Sequence, residues 1–184
     1  MQLQDGQPDP EALIKVTKPG ITEYNYERRS AKSPKLNTLF QCDALAVLTT
    51  ISMQGVRMNQ EKTFRGLPRT VTSLALEFND KTTLDEIAYS YLPRGLKHLD
   101  LSLHRSPHLS RAGLEYLGRM KELNYCNIAF ERLQLVEDVD WLLLPRSLRF
   151  LYIQSEFAIR GSCLRYFPRY LQKLQFPGLL LETP

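Results

Sequence analysis

The chain is poor in several things at once: three cysteines, three histidines and one tryptophan in 184 residues. Each scarcity excludes something. Cys42, Cys126 and Cys163 are odd in number, far apart and without a CxxC pair. That excludes a disulfide framework and a structural zinc site, and predicts free thiols in a reducing, intracellular compartment, either cytoplasm or mitochondrial matrix. His98, His104 and His108 stand close in sequence, but Pro107 interrupts any helix that would align them and no cysteine or acid completes a ligand set. No metal is expected. No apolar run approaches the ~18 residues of a membrane span. The opening stretch MQLQDGQPDPEALIK has acids at Asp5, Asp9 and Glu11 where a targeting peptide has a basic region, so none is expected. A glycine-rich phosphate loop, GxSxG and HExxH are all missing. The expectation is a protein with no cofactor and no catalytic residues, not an enzyme. Charge is also modest: a net +4 and a pI near 9.0 suit an anionic partner without demanding one.

What the chain does have is a repeat. GLPRTVTSLALEF (66–78), YLPRGLKHLDLS (91–102), YLGRMKELNY (116–125), LLPRSLRFLYI (143–153) and YFPRYLQKLQF (166–176) are variants of one phrase. Each contains an LxxLxL-like core: Val71xxLeu74xLeu76, Leu96xxLeu99xLeu101, Met120xxLeu123xTyr125, Leu148xxLeu151xIle153 and Leu171xxLeu174xPhe176. The middle anchors are 25, 24, 28 and 23 residues apart. Alternation of side chains along a strand sends the paired leucines inward and their neighbours outward. Helix-like stretches lie between. TTLDEIAYSYL offers Thr83 as a cap with Leu84, Ile87, Ala88 and Tyr91 on one face, and LSRAGLEYL offers Ser110 with Leu114 and Leu117. EDVDWLLL and RGSCLRYF fill the same place later. Pro68, Pro93, Pro145 and Pro168 stop each helix and start the next strand, with Gly118 as the stop in the third unit.

A period in the twenties with this core resembles the leucine-rich repeat family over roughly residues 64–181. Leu109, Ser110, Gly113 and Leu114 bring the third stretch nearest to the ribonuclease-inhibitor-like and cysteine-containing subclasses; coupling-factor-B-type subunits of the mitochondrial ATP synthase carry a similar stretch. The family's Asn or Cys ladder position is kept at Asn79 and replaced at His104, Ile128, Glu156 and Leu179. The resemblance implies an α/β solenoid: a right-handed leucine-rich repeat horseshoe arc of about five strand–helix repeats, used for protein binding.

The organisation expected is an extended N-terminal arm (1–35), an N-terminal cap or degenerate repeat (36–63) and the leucine-rich repeat domain (64–184). Leu48 lies 26 residues before Leu74, which suits a degraded sixth unit. After Phe176 only PGLLLETP remains. Its leucines Leu179, Leu180 and Leu181 either fold back over the last unit or are covered by a partner.

Four groups of residues are candidates for function. Arg69, Arg94, Arg119, Arg146 and Arg169 share one repeat position. They form either a row that satisfies helix-end carbonyls or an anion-binding edge. The outward strand positions include His98, Asp100, Asn124, Phe150 and Tyr152, a polar face with an aromatic pair. The third group is the leucine tail. The fourth is the arm segment YNYERRSAKSPK, where Tyr24 and Tyr26 alternate with Arg28 and Arg29. Together they predict a non-catalytic protein-interaction module, an adaptor or structural subunit of a larger intracellular assembly. Two alternatives stand beside it: a ribonucleoprotein subunit holding RNA through the arginine edge and the arm, and a substrate-recognition subunit of a degradation complex.

Overall fold

The protein is described here by a computed structural model covering residues 23–26, 47–56, 64–78, 86–102, 108–130, 132–155, 159–176 and 179–180. Its main feature is a seven-stranded sheet in which every pairing is parallel. The strands are β1 (Glu23–Tyr26), β2 (Thr50–Val56), β3 (Ser73–Phe78) and β4 (His98–Ser102), then β6 (Tyr125–Phe130), β8 (Phe150–Ser155) and β10 (Lys173–Gln175). They lie in chain order across the sheet. Two small sheets flank it, pairing β5 (His108–Ser110) with β7 (Arg132–Leu135), and β9 (Ile159–Arg160) with β11 (Leu179–Leu180).

The register explains the sequence periodicity. Ile51, Leu74, Leu99, Cys126, Leu151 and Leu174 stand side by side as one row. Met53, Leu76, Leu101, Ile128 and Ile153 form a second row two residues on. All of these are buried except Leu174, on the end strand β10, which is half-buried. Parallel strands need a connection back to the same end, and here the described connections between β3 and β10 also roof the apolar rows. Ala88, Tyr89, Leu114, Leu117, Trp141 and Cys163 do the roofing.

Strands β3, β4, β8 and β10 are entered in the same way. The carbonyl of Pro68, Pro93, Pro145 or Pro168 accepts the N–H three residues later, closing a tight turn. Next, the carbonyl just ahead of one strand accepts two N–H groups from the chain entering its neighbour. Thr49, Thr72, Lys97, Asn124 and Arg149 each do this, with N···O distances of 2.7–3.1 Å.

The expected five-unit strand–helix horseshoe with an extended arm is corrected by these observations. Among the described residues the longest helix is α1 (Arg111–Gly118), and residues 64 and 65 are also α-helical. Three other connections carry six-residue 3₁₀ helices, Glu86–Tyr91, Asp138–Leu143 and Gly161–Tyr166. The chain is an all-parallel sheet with little helix, and part of the supposed arm is its first strand, β1, paired with β2. Along the first row the spacings are 23, 25, 27, 25 and 23 residues, from positions 51, 74, 99, 126, 151 and 174. The eight-residue α1 occupies the longest, 27-residue step, and in the two 25-residue steps and the last 23-residue step a 3₁₀ turn precedes the proline. Ser110 caps α1 as expected, its Oγ accepting the N–H of Ala112 at 3.1 Å.

Two smaller expectations are also corrected. The third unit was set three residues early: Cys126, not Leu123, stands beside Leu99. Its motif is therefore Leu123xxCys126xIle128, with Met120 at the proline position, where its carbonyl accepts the N–H of Leu123. In the first 3₁₀ helix, Ile87 is exposed while Ala88 and Tyr89 are buried, because a three-residue turn aims different side chains inward than an α-helix does.

Candidate functional site

The solvent face of the sheet carries the positions between the buried rows. One outward row reads Thr50, Ser73, His98, Tyr125, Phe150 and Lys173. The next reads Ser52, Ala75, Asp100, Asn127, Tyr152 and Gln175. Because the strands are in register, equivalent side chains become neighbours. His98 and Tyr125 stack with ring centroids 4.1 Å apart and planes 8° from parallel. Tyr125 and Tyr152 meet at 5.3 Å in a tilted arrangement. The Lys173 ammonium closes the series 5.1 Å from the Tyr152 ring centre.

A polar layer supports these rings. Asn127 Nδ2 donates to Asp100 Oδ1 at 3.1 Å, and the Tyr125 side chain is hydrogen-bonded to the same carboxylate. Burial, helped by the Asp100 charge, raises the Tyr125 phenol above its ordinary value. Burial lowers the His98 pKa, with Asp100 opposing, so His98 stacks as a neutral ring at physiological pH. Asn127 Oδ1 is buried without a donor among the described residues, a local cost of about 1–3 kcal/mol.

His98, Asp100, Phe150 and Tyr152 thus occupy the face expected of them. Asn124 does not: it precedes β6, and its carbonyl holds the entry to β8. Its place in the outward rows is taken by Tyr125 and Asn127, the centre of the aromatic series. The signal that locates them is the alternative reading Leu123xxCys126xIle128, in which a buried cysteine serves as a small hydrophobe.

The arginine row is uneven. Arg69, Arg94, Arg146 and Arg169 follow the turn-opening prolines, but the third member is Lys121, not Arg119. Arg119 is the C-cap of α1 and lies over the Tyr116 ring at 4.9 Å. Arg69 Nη1 donates to the carbonyl of Tyr91, the last residue of the neighbouring 3₁₀ helix, at 3.2 Å. Lys121 Nζ donates to the carbonyl of Gly118 at 2.6 Å. These two satisfy helix-end carbonyls. Arg94, Arg146 and Arg169 make no hydrogen bond or ion pair among the described residues.

At the ends, Leu179 and Leu180 pair as β11 with Ile159 and Arg160, so the backbone there is engaged by its own chain. Tyr24 and Tyr26 belong to β1, beside Ile51 and Met53. Leu181, Arg28 and Arg29 lie outside the described residues. Cys126 and Cys163 are buried; burial raises both thiols, Cys163 to about 11 with Asp138 contributing. Such thiols are inert at neutral pH. Among the described residues no three His, Cys, Asp or Glu side chains are placed to share a metal ion, and no helix is long and apolar enough to cross a membrane. Among the described strands the order never reverses, so they form no switch-point crevice of the kind that binds nucleotides in doubly wound folds. No family model, curated protein or solved structure matches this chain.

Proposed function

We propose that the protein is a non-catalytic interaction module, an adaptor or structural subunit whose partner docks on the solvent face of the sheet. The observation that carries this reading is the stacked series His98–Tyr125–Tyr152 with Lys173 at its end. Aromatic side chains concentrate binding energy at protein interfaces because they bury much area at small entropic cost. Here the rings are already fixed by their neighbours and by Asp100, which lowers the ordering cost of association. The partner best suited to this face is a protein surface offering apolar groups to the rings and a hydrogen-bond donor to Asp100. An RNA partner tracking the arginine row is less well supported, because Arg69 and Lys121 are spent on carbonyls and break the row into separate pieces.

Affinity purification of the full chain, compared with Tyr125→Ser combined with Tyr152→Ser, tests the reading. Both side chains are half-exposed, so the fold survives their loss. Proteins retained by the native chain and lost by the double variant are the expected outcome. Recovery of the same proteins with both chains, or loss of all association on adding moderate salt, rejects it.

A further inference from the structure

A cleft of 590 Å³ opens where the second and third 3₁₀ helices end, walled by the turns that lead into β8 and β10. That volume falls within the range of small-ligand sites. Its floor is apolar: Trp141 and Phe167, both buried, stack with centroids 4.9 Å apart beside Leu144. Its rim is cationic. Arg146, Arg165 and Arg169 all line it, all are exposed, and no acidic residue does.

None of the three arginines forms a hydrogen bond or an ion pair among the described residues. That separates them from Arg69 and Lys121, whose charges are used on backbone carbonyls. Arg165 lies 4.8 Å from the centre of the Tyr166 ring. Stacking on a ring steadies a guanidinium while leaving its in-plane N–H fork open for a carboxylate. Three like charges around an apolar pocket repel one another, and nothing in the lining offsets them.

We infer that this cleft binds an acidic peptide segment, placing an aliphatic or aromatic side chain against the exposed Leu142 and Tyr170 beside the buried Trp141–Phe167 pair, and flanking carboxylates against Arg146, Arg165 and Arg169. Local grouping of the charges favours a peptide over a nucleic acid. A nucleic-acid backbone needs cations spaced along a path, and the cations of this edge are not continuous. The site is built from inter-strand turns and does not depend on the aromatic face, so either can hold without the other.

Trp141 is the chain's single tryptophan, so its emission reports directly on the cleft. The test titrates the full chain with a hexapeptide of two glutamates on each side of a leucine–phenylalanine pair, followed by tryptophan fluorescence and calorimetry. Parallel titrations use the same peptide with glutamine for glutamate, and an oligouridylate. Saturable binding of the acidic peptide with a change in emission is expected, weakened about tenfold or more by the glutamine exchange. Arg146→Gln with Arg169→Gln weakens it similarly, while Arg94→Gln, outside the cleft, leaves it unchanged. Equal binding of the glutamine peptide, tighter binding of oligouridylate, equal weakening by Arg94→Gln, or neither heat nor emission change overturns the inference. Absence of peptide binding while the Tyr125→Ser, Tyr152→Ser variant still loses its partners marks failure here alone, and peptide binding with partner recovery unchanged in that variant marks failure of the docking face alone.

Discussion

His98 shows how one side chain is set by its neighbours in space. It is half-buried, stacked on Tyr125 and near Asp100, and burial holds its pKa below the ordinary 6.5. The unfolded chain therefore takes up this proton at a higher pH than the folded one. Stability is full above the unfolded pKa and falls as pH drops through 6.5 toward the folded value, because the native state resists the charge. Urea midpoints measured from neutral to mildly acidic pH should decline, and His98→Phe, which keeps a flat ring against Tyr125, should remove part of that decline. Identical slopes for the two proteins would mean that other groups cause it. That His98 faces solvent was legible from alternation along HLDLS. Its stacking partner was not, since Tyr125 had been placed inward by a register three residues out.

Among the elements, α1 depends on Gly118 for more than its end. A Cβ at Gly118 would run into the carbonyl oxygen of Leu143, at the end of the next 3₁₀ helix. The glycine thus sets how closely two connections pack over the sheet. Gly118→Ala forces them apart and should cost about 1–3 kcal/mol of stability, read as a lowered melting temperature. An unchanged melting point would show that the backbone yields freely there. Ser110 as a cap and Leu114 and Leu117 as buried residues were readable from spacing, because an eight-residue α-helix imposes its period on the sequence. The 3₁₀ helices were misread as α-helical. Six residues hold too few turns to display a period, and Ala88 and Tyr89 became the inward pair.

Over the whole molecule the core is one unbroken layer from Leu48 to Phe176, so no strand can leave without exposing its neighbours' leucines. Leu99, fully buried between Leu74 and Cys126, is near the middle of that layer. Leu99→Ala should cost about 2–5 kcal/mol and leave unfolding a single transition. Two separated transitions by fluorescence and circular dichroism would show that the halves fold apart. The sequence by itself determined that apolar pairs recur about every 25 residues, that prolines mark the strand entries, and which residues of most strands face water. Those properties are local: alternation, spacing and the missing N–H of proline act within a few residues. Only the tertiary structure decided that three of the connections are 3₁₀, that Cys126 completes the buried row, and that Arg146, Arg165 and Arg169 come together around one cleft. These depend on how much room neighbouring connections leave one another and on which residue of one strand lies beside which of the next. No single repeat contains that information.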